Sequence, residues 1–202
     1  MMKKLGKVFV TVALSATLLF PVAAFAASSY TVTYGDSLWK IAVKTQTGVK
    51  ELINANPQLK NPNLIYPGQK INVPAKQNSQ VEQEVIKLVN QERAKAGLSP
   101  LKYDWELARV AKHKSQDMHD RNYFDHNSPT YGSPFSMMKS YGIKYKAAGE
   151  NIAKGQRSAQ QVVNAWMNSP GHRANILNKD FTHIGVGYVK DGHYWTQMFI
   201  KK

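Results

Sequence analysis

The chain contains no cysteine. No disulfide and no cysteine-held metal can staple a small fold together, so each domain must stand on its own apolar core. The constraint matters because the first residues mark the chain for export, where small domains lean on disulfides. MMKKLGK carries Lys3, Lys4 and Lys7 and no acid, VFVTVALSATLLF is apolar, and Ala24-Phe25-Ala26 is a small-residue cleavage pattern. That order is the signature of a secretory signal peptide over residues 1–26. The apolar run is shorter than the roughly 20 residues of a spanning helix, so no transmembrane anchor is expected after processing.

With 202 residues and 43% hydrophobic content, the chain has room for one medium or two small folded domains. Its formal net charge is +14, and removal of Lys3, Lys4 and Lys7 with the leader leaves +11. Such a surface is drawn to anionic polymers. The lysines are dispersed, and no nucleic-acid motif, phosphate-binding glycine loop or HExxH pair occurs, so no specific nucleic-acid partner and no helix-borne zinc protease is expected.

Residues 30–75 read as one unit. YTVTY alternates like a strand and Gly35 breaks it. Asp36 or Ser37 can cap a helix through Leu38, Trp39, Ile41, Ala42 and Val43. Thr47-Gly48 ends that helix, Val49 to Ile53 start a second, and Asn56-Pro57 stops it. NPNLIYPGQ is loop, and KINVPA is a closing strand. The expected order is strand, helix, helix, strand. Residues 76–80 form a short polar linker.

From Val81 a larger domain begins. A helix through Val81, Val85, Leu88, Val89 and Glu92 stops at Gly97. LSPLKYD reads as loop. A second helix buries Leu107, Val110, Ala111, Lys114 and Met118. FDHNSPTYG is loop, Ser133-Pro134 opens a third helix, and Ser158 with Gln161 makes a capping box for a fourth, which SPG ends. THIGVGYVKDGHYWTQMFIKK reads as a hairpin turned at Asp191-Gly192. The pattern is α+β, with helices layered on an antiparallel sheet.

Two resemblances sharpen this reading. YTVTYGDSLWKIA, ELINANP and NLIYPGQKINVP together resemble the LysM domain, a small βααβ carbohydrate-binding module, over the whole 30–75 unit. That resemblance implies binding to peptidoglycan or another N-acetylglucosamine polymer in a shallow groove between Gly35, Asp36, Ser37 and Leu38 on one loop and Asn63, Leu64 and Ile65 on the other. From Val81 to the end, FDHNSPTYG, AAGENIAKG, NAWMNSPGHRANIL and GVGYVKDGHYWTQMF resemble, in that order, the disulfide-free bacterial branch of the CAP superfamily of cysteine-rich secretory proteins. The fold it implies is a three-layer α-β-α sandwich. The family's cleft of two histidines and two acids maps its first histidine onto His126 and its first acid onto Glu150. The second acid would fall three residues after Trp166, on Ser169, so that carboxylate is absent, and His172 of SPGHR is the nearest replacement. The last position falls on Tyr194, which shares a strand face with Thr196; aligning on Gly-His instead selects His193.

Two imidazoles beside a carboxylate suit zinc, with His126 and His172 as ligands, or general acid–base work by the same groups. They also suit a purely structural polar network. Ser128 and Ser169 precede prolines and fit turns. His113, His119 and His183 read as non-functional. The chain is expected to be a secreted, cell-wall-associated protein whose LysM module holds a CAP cleft on peptidoglycan, with a lipid or protein at the cell surface as further partners. A metal-dependent hydrolase and a non-catalytic envelope or spore-coat assembly protein are the alternatives.

Overall fold

A computed structural model describes residues 28–74 and 80–202. The export leader and most of the expected linker lie outside these residues.

In the first domain, strand β1 (Ser28–Thr31) pairs antiparallel with β2 (Lys70–Val73), and helices α1 (Leu38–Thr45) and α2 (Val49–Asn54) lie between them in sequence. The expected order is what forms. Ser37 is the α1 cap, its Oγ accepting from Lys40 N at 3.2 Å. Ile41, Leu52 and Ile71 are fully buried in a core of their own. Buried Asn56 stitches the end of α2 to β2. Its Nδ2 donates to Leu52 O and Asn72 O, both at 2.7 Å, and its Oδ1 accepts from Asn72 N at 2.8 Å.

The second domain runs α3 (Gln80–Lys95), β3 (Lys102–Tyr103), α4 (Trp105–Asp120), α5 (Pro134–Ser140), β4 (Ala147–Lys154), α6 (Ala159–Met167), α7 (Pro170–Ile176), β5 (His183–Val189) and β6 (Tyr194–Lys201). Its sheet has the order β3-β5-β6-β4, which leaves β4 as an edge. Helix α4 packs on one face, burying Leu107, Val110, Ala111 and Met118 against Met198, Ile200, Ile152 and Tyr194. Helices α3 and α6 cover the other face, where Val85, Val89, Val162 and Trp166 meet Val186, Trp195 and Phe199. Strand residues alternate between the two cores, as the pleat requires. This is a three-layer α-β-α arrangement.

Several local details depart from expectation. The sheet is mixed, because the LSPLKYD segment holds β3, which pairs parallel with β5. Strand β4 was not evident in AAGENIAKG; it is buried on both faces and so shows no alternation. The chain between β5 and β6 is not a two-residue turn: Asp191–His193 form a 3₁₀ turn in which Gly192 (φ 70°) and His193 (φ 52°) are both left-handed. The SPG segment ends α6 and also starts α7, with Pro170 in the first turn of the new helix, where its missing N–H goes unused.

The two domains meet. Glu51 on α2 receives Arg109 Nη1 and His113 Nε2 of α4, both at 3.2 Å. Burial raises the Glu51 pKa, but the His113 bond and the Arg109 charge outweigh it and hold the carboxyl at about 2. Gly48 makes this close approach workable, since a Cβ there would overlap the Glu51 carboxylate and Arg109 Nη1.

Candidate functional site

The expected cleft residues gather around the edge strand. Glu150 sits on the α4 face of β4, opposite Met198, with its side chain 1% exposed. His126 arrives from the loop after α4 and is half exposed, its Nδ1 lying 2.7 Å from Glu150 Oε1. With a carboxylate as acceptor, Nδ1–H is the donor, which leaves Nε2 to face outward.

That loop is held by two anchors on α4. Lys114 is fully buried and its Nζ donates to the carbonyls of Asp125 and His126, both at 2.8 Å, and to Tyr123 Oη at 3.2 Å. Asp117 accepts from Tyr123 Oη (2.5 Å), Ser128 Oγ (2.7 Å), Thr130 Oγ1 (2.7 Å) and Arg121 Nε (3.1 Å). Ser128 Oγ also accepts from the amides of Thr130 and Tyr131 at 2.9 Å, so this hydroxyl shapes a turn.

His172 comes from α7 on the other side of the edge. Asn151 Nδ2 donates to His172 O (3.1 Å) and to Gln197 Oε1 (3.0 Å), while Asn175 Nδ2 donates to Glu150 O (3.1 Å) and Asn151 Oδ1 (2.8 Å). The free edge of β4 is thereby covered by side chains of α7 instead of another strand. Arg93 fixes the far end of α7, donating to Ile176 O and Asn178 O at 2.8 Å. A guanidinium at a helix C-terminus suits both the orphan carbonyls and the dipole.

The electrostatics are uneven. Burial pushes the Glu150 carboxyl up, opposed by His126 and Lys114. The bond from Glu150 pushes His126 up. Burial pushes His172 down, and the nearby charge of His126 adds to that. Glu150 Oε2 is buried and has no hydrogen-bond partner. One imidazole is thus made more basic by a carboxylate, and the second less basic within electrostatic reach of it. That set can take and return a proton. Among the described residues no three or more His, Cys, Asp or Glu groups converge as metal ligands. His126 and His172 by themselves number fewer than the three protein ligands typical of catalytic zinc.

Tyr194 lies on the Glu150 face of the sheet, but opposite Lys154, four residues along β4 from Glu150 and so about 13 Å away. It is 3% exposed, packs with Met118, Ile152 and Val189, and carries Lys154 Nζ over its ring at 4.5 Å. It belongs to the core beside the cleft, not to the histidine pair. His193 lies in the turn, where Nδ1 is 2.7 Å from Tyr188 Oη and the ring stacks on Tyr188. Neither residue completes the His126, Glu150 and His172 set. Ser169 starts α7 with no side-chain cap bond.

The loops assigned to sugar binding in the first domain divide similarly. Leu38 is 5% exposed and belongs to the core, where Ile65 also packs. Asp36 faces inward and accepts from Tyr30 Oη, Thr33 N, Thr33 Oγ1 and Lys44 Nζ. These bonds, Lys44 foremost, hold its carboxyl far below the usual range. Asp36 therefore shapes the loop. Gly35, which turns the loop at φ 81°, and Ser37, Asn63 and Leu64 remain near the surface. Sequence reasoning passed over Tyr34 and Tyr66 and counted Trp39 among the apolar positions of α1; they are 96%, 60% and 65% exposed beside those loops. The signal available was an aromatic residue next to each loop.

The comparisons bear on both domains. The sequence model of the CAP, or cysteine-rich secretory protein, family matches residues 86–199, more than half of the chain. The chain belongs to this family. The LysM model matches residues 30–74. The CAP domain is similar to the uncharacterized protein YkwD of Bacillus subtilis, 65% identical over 124 residues, which are 61% of this chain and 48% of that protein. It also resembles an extracellular protein containing an SCP domain from Bacillus anthracis, with 34% identity and a TM-score of 0.59 over 67% of this chain and 47% of the other. An endolysin of Bacillus phage B103 is 50% identical over 46 residues, 23% of this chain and 18% of the endolysin. The chain spans about half the length of YkwD. No helix among the described residues is long and apolar enough to cross a membrane.

Proposed function

We propose that this protein is exported and binds peptidoglycan through its LysM module, which holds the His126, Glu150 and His172 cleft of the CAP domain at the wall. The observation that carries the reading is the row of exposed aromatics, Tyr34, Trp39 and Tyr66, flanking the Gly35 and Asn63 loops of a LysM module. Aromatic faces cover sugar rings, and the loop backbone and small polar groups reach the N-acetyl function. Tethering raises the effective concentration of wall components at the cleft whatever the cleft does there. Hydrolysis is the second reading, favoured by the His126–Glu150 pair.

The test is sedimentation of the full chain with purified peptidoglycan in high salt, which removes unspecific attraction of a basic protein to anionic wall polymers. Wild type is expected in the pellet. A Tyr34→Ala/Tyr66→Ala double variant, which removes only exposed rings, should bind about tenfold or more weakly. Wild type left in the supernatant, or a double variant that sediments unchanged, refutes the reading.

A further inference from the structure

The seam between the two domains is more than a contact. Along α1, Trp39 and Val43 lie one turn apart and are 65% and 41% exposed, and both line a trough of about 450 Å³ whose other wall is the CAP domain. That wall is aromatic: Trp105 at the start of α4, Tyr131 from the His126 loop and Tyr141 at the end of α5. Tyr131 and Tyr141 meet edge-on at 6.1 Å, and Arg109 sits 5.0 Å over the Tyr141 ring. The floor is the Glu51, Arg109 and His113 cluster, and His113 Nδ1 lies 2.6 Å from Tyr141 Oη.

We infer that this trough is a second saccharide subsite, in which the CAP domain supplies one wall and the LysM helix the other, for an N-acetylglucosamine polymer leaving the LysM loops. The inference rests on the LysM reading above. Three observations select this occupant. Trp39, which lines the trough, directly follows the Gly35–Leu38 loop in sequence. Its walls are rigid rings, which offer flat faces to pyranose CH groups. Its floor combines a carboxylate, a guanidinium and an imidazole, a mixture that both accepts from and donates to sugar hydroxyls and amides. A lipid tail would want the floor apolar, and an anionic polymer would find no net positive charge, since Lys50 and Arg109 are matched by Glu51 and Glu106.

The consequence is a dependence on glycan length that is carried by the trough and lost when its walls are altered. The probes are soluble N-acetylglucosamine oligomers of increasing length, titrated calorimetrically into the full chain. Short oligomers fill the loops only; longer ones enter the trough and should bind about tenfold more tightly. Val43→Glu and Tyr131→Ala should abolish that gain and leave short-oligomer affinity unchanged. Val43→Glu alters an exposed position, so it keeps the test valid if Tyr131→Ala disturbs folding. Equal affinity for short and long oligomers, or a length gain that survives Val43→Glu, overturns the trough while leaving the LysM reading intact. Absence of binding to every length overturns the LysM reading and, with it, this one.

Discussion

Replacing Gly187 with alanine is expected to destabilise the CAP domain by about 3 kcal/mol or more, and Gly185→Ala should act alike. Both glycines lie on β5 under α4. A Cβ at Gly185 would overlap the backbone of Leu107 and Ala108, and one at Gly187 the backbone of Ala111 and Lys112. The obstacle is helix main chain, which cannot turn aside like a flexible side chain. Helix α4 would have to lift off the sheet and carry Lys114 and the His126 loop with it. Urea unfolding of the full chain reads the effect directly. Gly171→Ala is the control. Nothing lies within 4 Å of a Cβ there, and the residue is inside α7, so alanine should be neutral or stabilise by up to about 1 kcal/mol. Equal losses at Gly171 and Gly187 would show that close packing of α4 on β5 is not what holds this layer.

Lys114→Met is expected to cost about 3 kcal/mol even though volume and stem packing are preserved. The substitution strips donors from two part-buried carbonyls and removes the buried cation that faces Glu150. The loss has a pH dependence with a definite sign. Burial raises the folded-state pKa of Glu150, so the folded protein holds that proton more firmly than the unfolded chain, and stability falls as pH rises through the carboxyl range. Without Lys114 the Glu150 pKa rises further, so the penalty for Lys114→Met should grow between acid and neutral pH. A penalty flat with pH would mean that Lys114 acts only through its carbonyl bonds. Amide exchange should quicken across residues 121–133, which this lysine anchors.

Much of the frame was legible because it follows strong local rules. The helical spacing of Leu107, Val110, Ala111, Lys114 and Met118 placed even the lysine on the buried face, and all five are fully buried. Ser133-Pro134 and Gly97 bounded helices through capping and left-handed geometry that depend on few neighbours. What escaped depends on partners distant in sequence. Strand β4 is polar at Glu150 and Asn151 because each satisfies groups 21 to 46 residues away, and no local pattern reports that. His113 read as idle since its partner, Glu51, belongs to the other domain. Strand parity did place Tyr194 on the Glu150 face, but parity says nothing about position along the strand, and four residues separate it from the cleft.

The convergence of His126, Glu150 and His172 is tested most directly by histidine titration followed by NMR in wild type, Glu150→Gln and His126→Gln. In wild type His126 should titrate above an ordinary histidine and His172 below it. Glu150→Gln should bring His126 down, and His126→Gln should bring His172 up, because a positive charge leaves its neighbourhood. If His172 titrates identically with and without the imidazole at position 126, the two rings do not share a cleft and the account of the site fails.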